Sequence, residues 1–357
     1  MIPELNRWVR AMVLSKACCR AGLLGAAALV ALSFSSAAAW SETARQLRIG
    51  VQFGLGYLPL YVAKDAGLFD KRIREQGLDP IPVEFSHLAG GPQVNDGLLS
   101  ESLEIGSGGY TAMMVYCEKT RAAGDSQLLG VTALSAVPYE LYTVDPELKS
   151  LKDLERGKDK VGVPSVKVSV PAIYLQMAAE QLFGPGNHGT LDQYTVSLAQ
   201  PDGVISLLSG GTSVSSYLFS PPFTQQVEGK PNIHKVWSSN ELFESPATAL
   251  VTWTTAKFHR ENPKLIAAFI AAIRDAIDLI ERDPQQATAI YLQAEKTKLS
   301  PEFIREVVAD KSNLRFSLAP EQSQKVADFL FRSGSLKTKV PGWQALFFPE
   351  LHDQKGS

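Results

Sequence analysis

From Leu47 the chain alternates apolar and polar residues as LRIGVQF over the length of a strand, and the pattern then breaks at Gly54 and Gly56. The break predicts a tight turn in which the backbone is free to take positive φ. Pro59 suits the first helical position, where its missing N–H would have had no partner, and Gly67 suits a left-handed stop, so a short helix over Pro59 to Ala66 is expected. Such a unit leaves unpaired N–H groups beside the carboxyl end of the strand, where open α/β sheets bind ligands. A plain strand-helix crossover without a ligand has the same pattern.

The βα rhythm continues. Val83 to Ser86 and a shorter segment ending near Ser107 read as strands, each followed by a glycine-rich loop and a helical pattern. A second series starts at Lys160 with KVGVP and runs through the helix PAIYLQMAAEQLFG, the strand YTVSLAQ, the helix DGVISLLSGG and the strand SSYLFS. Two extended apolar stretches, ALSAVPYELYTV from Ala133 and SPATALVTWTT from Ser245, are expected to cross between two lobes. These assign residues 40–140 and 245–357 to the first lobe and 141–244 to the second. From Asn262, placed to cap, and Pro263, placed to open, one helical face carries Leu265, Ile266, Phe269, Ile270, Ile273, Ile277 and Ile280 and is read as core. Asp283-Pro284, Ser300-Pro301 and Ala319-Pro320 read as further helix starts, giving a tail expected to pack on the first lobe.

The start of the chain changes the compartment. Arg7, Arg10, Lys16 and Arg20 precede the apolar run Ala21 to Phe34, and small residues ending in Ala37, Ala38 and Ala39 follow. This predicts a cleaved secretory signal peptide over residues 1–39, because the run is short for a bilayer core roughly 30 Å thick. A retained membrane anchor is the competing reading. Cys18 and Cys19 stand before the apolar run rather than after it, which argues against a lipoprotein, and both leave with the leader. Cys117 then remains as a single cysteine, expected to be buried, so an internal disulfide is excluded. Lys and Arg fall from 35 to 31 with the leader and Asp and Glu from 37 to 36, taking the formal charge from -2 to -5. A mildly acidic surface supports neither nucleic acid nor anionic lipid as a partner. The five histidines are scattered without metal-ligand spacing, and neither a GxSxG elbow nor a Walker loop is present, so no metal, cofactor or catalytic set is expected.

Four segments carry a family resemblance: PLYVAKDAGLFDKR, GLLSESLEIGSGG, LKSLKDLERGKDKVGVPS and FHRENPKLIAAFIAAIRDAIDLIERDPQQA. In their order and spread over nearly the whole chain after the leader, the sequence resembles the nitrate/sulfonate/taurine-type solute-binding proteins of ABC importers. The resemblance implies an α/β, two-lobed periplasmic-binding-protein fold of the type with two interlobe crossings, with the ligand cleft between the lobes. It further implies a monomeric periplasmic protein that is not an enzyme and hands a small, anionic organic solute to the transmembrane subunits of a permease. A pyrimidine precursor or an aromatic carboxylate is an alternative ligand, and a sensor kinase an alternative partner. A thiamine-pyrimidine synthase-like enzyme of the same fold fits poorly with export and a single cysteine. Where the family commonly has aspartate in one glycine-rich segment this chain has Glu104, and the later counterpart over residues 210–215 lacks the acidic residue.

By position, the resemblance puts Phe53, Gly54, Tyr57, Gly90, Gly91, Ser107, Gly109, Tyr110 and Thr111 of the first lobe at the ligand, with Tyr139 near the hinge. Ser165, Lys167, Val168, Ser169, Ser220 and Pro222 would face them from the second. The loop PSVKVSVPA is the sharpest local signal, since Ser165 and Ser169 offer hydroxyls, Pro171 starts a helix, and Lys167 adds a positive charge for a sulfonate or carboxylate. Lys167 pointing to solvent is the plain alternative. Tyr57, Tyr139, Phe219 and Phe223 are candidates for stacking on an organic solute or for ordinary packing. His87 stands just ahead of the Gly90-Gly91 loop and is left outside the site as a structural histidine.

Overall fold

The computed structural model describes residues 44–357 apart from Thr212, Ser213 and Glu244, and the leader expected over residues 1–39 lies outside them. The opening segment forms β1 (Leu47–Val51), a 3-10 turn at Leu55–Tyr57 and α1 (Leu58–Asp65). Gly54 and Gly67 take φ of 122° and 68°, where a side chain would be strained. Gly67 both stops α1 and precedes α2 (Leu68–Glu75). The first series continues through β2 (Val83–His87), α3 (Gly91–Leu99), β3 (Ile105–Gly109), α4 (Tyr110–Thr120) and β4 (Leu128–Ala136). The second contains β5 (Glu140–Thr143), β6 (Val161–Val163), α5 (Val170–Phe183), β7 (Thr195–Ser197), α6 (Gln200–Leu208), β8 (Ser216–Phe219), α7 (Phe223–Val227) and β9 (His234–Ser238). The chain returns through β10 (Thr248–Thr255) to α8 (Ala256–Glu261), α9 (Pro263–Arg282), α10 (Pro284–Ala294), α11 (Pro301–Ala309), β11 (Arg315–Phe316) and α12 (Ser323–Arg332).

Two sheets result, ordered β11-β4-β10-β3-β1-β2 and β7-β6-β8-β5-β9. Each repeats one plan. A first parallel strand sits between the second and the third, as β2-β1-β3 and β7-β6-β8, and an antiparallel strand lies beside the third, the returning β10 beside β3 and the entering β5 beside β8. The strand order therefore reverses beside β1 in one lobe and beside β6 in the other, and crevices open at the carboxyl ends of strands where that happens. The chain changes sheets between β4 and β5 and again between β9 and β10. The second crossing falls between Ser238, the end of β9, and Thr248, the start of β10, earlier than most of the stretch expected for it. SPATALVTWTT mostly forms β10, whose uncharged mixture of Ala, Leu, Val, Trp and β-branched Thr suits a strand buried between β3 and β4.

Packing explains the small residues of the first sheet. Trp253 of β10 lies over Gly106 and Gly108 of β3, where an added Cβ would come 3.1 Å from the indole, and its Nε1–H donates to buried Asn95 at 3.0 Å. In the second lobe the Tyr217 ring fills the space beside Gly162 and Gly203, and its hydroxyl donates to the Leu198 carbonyl. The predicted apolar face of α9 is core, with Phe269 stacked on Phe69 of α2 at 5.6 Å and Arg72 joined to Asp275 at 2.5 Å.

Three local expectations are corrected. Asn262 does not cap α9; its carboxamide accepts from the Ala44 N–H and donates to the Phe258 carbonyl, whereas Asp283 and Ser300 do cap their helices. Ala319-Pro320 starts no helix, because α12 begins at Ser323 and the Pro320 carbonyl instead accepts from the Ser357 N–H. Nor does the tail stay on the first lobe. From α12, Arg332 pairs with Glu180 of α5 at 3.2 Å, the Phe329 ring meets His188 edge-on, and Lys325 donates to the Leu242 carbonyl.

Candidate functional site

The carboxyl ends of β1 and β3 face those of β6 and β8 across a small cavity of about 40 Å³. Gln52 and Phe53 reach it from the end of β1, Gly109 from β3, Pro164 and Ser165 from β6, and Ser220 from β8. Tyr57, Val137, Tyr139 and Leu250 complete the wall beside the first crossing. Since one water needs roughly 10–15 Å³ on this measure, the space holds about three waters or a compact polar group. The lobes also touch directly. The Leu55 N–H donates to the Pro221 carbonyl at 3.2 Å, and the Thr111 hydroxyl donates to the Val168 carbonyl at 2.7 Å.

Four helices point their amino ends here: α3 through Gly91, α4 through Gly109 and Ala112, α5 through Ser169, Val170 and Pro171, and α6 through Gln200. None of the four has a side-chain cap. At α5 the Ser169 hydroxyl turns back to the Ser165 carbonyl at 2.6 Å instead of covering the first-turn N–H groups. Unpaired N–H groups and the positive ends of four helix dipoles thus converge on one small volume. Every lining residue is uncharged. Polar side-chain chemistry is supplied by Gln52, the Ser165 and Ser169 hydroxyls, the Gln200–Ser220 pair, in which the Gln200 carbonyl accepts the Ser220 N–H at 2.9 Å, and two tyrosines. Burial, with smaller contributions from Tyr139 and Glu295, pushes the Tyr57 phenol well above its ordinary value, and burial raises Tyr139. Both stay protonated at neutral pH and can donate.

Ten of the sequence-derived candidates line the cavity: Phe53, Gly54, Tyr57, Gly91, Gly109, Tyr139, Ser165, Val168, Ser169 and Ser220. Six are placed elsewhere. Gly90 meets the second lobe at Ser165, and Thr111 is committed to its interlobe hydrogen bond. Ser107 is fully buried in the sheet and donates to the Gly50 carbonyl at 2.6 Å; Tyr110 is buried against Phe347. Pro222 stands behind the Ser220 wall at the start of α7. Lys167 takes a left-handed φ of 65° and is exposed outside the cavity, so its charge does not enter the lining. Phe219 stacks on Tyr217 at 4.4 Å within the second lobe's core.

Gln52 and Gln200 are the polar lining residues that sequence reasoning missed. A usable signal exists for Gln200: α1, α3, α5 and α6 all start with a residue followed by proline, as Leu58-Pro59, Gly91-Pro92, Val170-Pro171 and Gln200-Pro201. His87, left outside the site in the sequence, does not line the cavity. It stacks on Phe53 at 5.3 Å and sits 3.2 Å from the Tyr61 hydroxyl, on the outer side of the cleft.

Residues 41–293 match the model of the NMT1-like family. Among solved structures, the alkanesulfonate-binding protein SsuA from Xanthomonas axonopodis pv. citri bound to MOPS superimposes with a TM-score of 0.64 at 16% identity, covering 84% of this chain and 96% of that one. The periplasmic nitrate-binding protein NrtA from Synechocystis PCC 6803 gives 0.66 at 16% identity, with 85% of each chain covered. A Candida albicans protein described as having the generic periplasmic binding protein fold gives 0.60 at 15% identity, covering 84% and 94%. No curated protein sequence matches. The family resemblance and the two-lobed periplasmic-binding fold expected from the sequence are both borne out.

Proposed function

This chain belongs to the NMT1-like family, and from that membership we propose that it is a periplasmic solute receptor of an ABC importer, closing two lobes over a small polar or anionic organic solute. The observation that carries the reading is the convergence of four uncapped helix amino ends on a cavity lined entirely by uncharged residues. Such a site holds an acidic group by N–H donors and dipoles rather than by a salt bridge. The phenols and carboxamides add donors that fix its orientation. A few such hydrogen bonds, each worth about 1.5–3 kcal/mol to a charged acceptor, reach the roughly -8 kcal/mol of micromolar binding. The sulfonate and nitrate named for the two neighbours are anions of this kind, so alkyl sulfonates, nitrate and small carboxylates head the candidates.

The uncharged lining also favours a second reading, a neutral pyrimidine-like solute held by the Gln52 and Gln200 carboxamides. At about 40 Å³ the cavity in this closed arrangement is smaller than any extended organic solute, so larger ligands need the lobes further apart. The test is a thermal-shift panel of methanesulfonate, taurine, nitrate, benzoate and a methylpyrimidine. A ligand at a hundred times its Kd raises stability by about 2.7 kcal/mol, which a melting curve resolves. No shift with any of these at millimolar concentration would count against the proposal. Co-purification with membrane extracts then separates a permease from a sensor as the partner.

A further inference from the structure

Beside the cleft, the first lobe carries an open pocket of about 490 Å³, within the range of small-molecule sites, and it shares Phe53 with the cleft cavity. Its wall is a chain of polar contacts. The Tyr61 hydroxyl donates to Glu295 Oε1 at 2.7 Å and lies 3.2 Å from His87 Nε2. The single phenol proton goes to the carboxylate, the stronger acceptor, so the phenol oxygen accepts from an Nε2–H of His87. The Glu295 side chain is only 8% exposed, and among the described residues no hydrogen bond to its Oε2 is found.

Three further features give this pocket its chemistry. Helices α1 and α10 both end at it, through Asp65 and through Gln293 and Ala294, and helix carboxyl ends favour cations. Aromatic faces from Phe53, Tyr61, Phe85 and His87 line it. Lys64 holds its Nζ 5.0 Å from the centroid of Phe85, so an ammonium already fits against that ring. Lys64 and Lys296 balance Asp65 and Glu295, and Lys64 is therefore a built-in competitor for an incoming cation.

We propose that this pocket is a second ligand site, taking the ammonium of a small organic amine at Glu295 and Asp65 and its apolar or aromatic arm between Phe53 and Phe85. The site adjoins the cleft through Phe53, while its charged end at Glu295 and Asp65 lies outside the cleft lining, so it stands whether or not the cleft's solute is an anion.

Phenethylammonium is the probe, titrated into the purified chain with 13C-labelled histidine while the His87 ring resonances are followed; 2-phenylethanol is the uncharged control. The amine should shift His87 saturably and the alcohol should not. Lys64→Ala should tighten amine binding by about threefold, the scale of one exposed charge interaction, because it removes the competing cation. Glu295→Gln should weaken it by roughly tenfold or more, the scale of a lost charge-assisted hydrogen bond. A merely structural role for these residues would not produce a gain at Lys64, which is exposed enough for its variant to fold. An unshifted His87, equal binding of the alcohol, or Lys64→Ala binding no more tightly would overturn the proposal. No cleft solute is present in the titration, so its outcome is independent of the thermal-shift panel.

Discussion

Replacing Thr111 by valine removes one donor from the junction between the lobes and little else. The hydroxyl donates to the Val168 carbonyl at 2.7 Å across the cleft, while the β-branched shape that valine keeps sits buried in the first turn of α4. A neutral hydrogen bond contributes about 0.5–1.5 kcal/mol net, which is roughly a two- to twelvefold change in an equilibrium constant at 25 °C. Because the bond spans the lobes, that loss falls on the equilibrium between open and closed forms. Where the open form predominates without solute, a solute bound only by the closed form then shows an apparent affinity reduced by the same factor. The assay is calorimetric titration with whichever solute the melting panel identifies, paired with the radius of gyration in solution without solute. Unchanged affinity would refute the reasoning. So would a lowered melting temperature without an affinity change, which would assign the bond to the fold and not to closure.

Three further substitutions test other links of the argument. Gly90→Ala carries no backbone penalty, since Gly90 is extended at φ -172°, but its Cβ would come 2.4 Å from Ser165 Oγ and 3.3 Å from the Pro164 carbonyl across the lobes. Solute affinity should fall about fivefold or more, on the scale of about 1 kcal/mol of overpacking, and unchanged affinity counts against interlobe closure at this point. Glu104→Gln attacks the first lobe alone. Glu104 accepts the Arg48 N–H at 2.6 Å and the Arg48 guanidinium at 2.5 Å, at the end of β1 remote from the cavity. Urea unfolding should show a loss of about 1–3 kcal/mol with solute affinity intact, and a loss of binding in place of stability would be contrary. For Asp275, hydrogen bonding from Arg72 holds the carboxyl below the usual range. Its contribution is present above the unfolded value of about 3.9 and is lost as pH falls through the lower folded value. The stability gap between wild type and Asp275→Asn should therefore narrow below about pH 4, and a gap constant from pH 7 to pH 3 would contradict it.

The readable and unreadable parts of this protein differ in where the determining force lies. The unit from β1 to Gly67 is legible because proline fixes φ locally and glycine alone takes positive φ without strain, whatever surrounds them. The face of α9 is legible because burial repeats with the helix period. Lys167 is different: its left-handed φ of 65° is imposed by a loop in which the Ser165 carbonyl accepts both the N–H and the hydroxyl of Ser169. A non-glycine residue gives no local warning of that conformation, so its charge read as a clamp in the sequence while the fold turns it outside the cavity. Ser107 and Thr111 present the same hydroxyl chemistry as Ser165, and only tertiary contacts commit them to the Gly50 and Val168 carbonyls. In the proposed function the donors that hold the solute are largely backbone N–H groups, which every residue but proline carries, so composition cannot reveal them. What the sequence does record is their placement, through proline at the second position of α3, α5 and α6 and small residues at the helix entries Gly90, Gly109 and Ser169. A helix entry without a bulky or capping side chain leaves its first-turn donors open to whatever enters the cleft. If the proposed function holds, selection among solutes comes from the shape and spacing of those entries, which closure of the two lobes would set, rather than from any one charged residue.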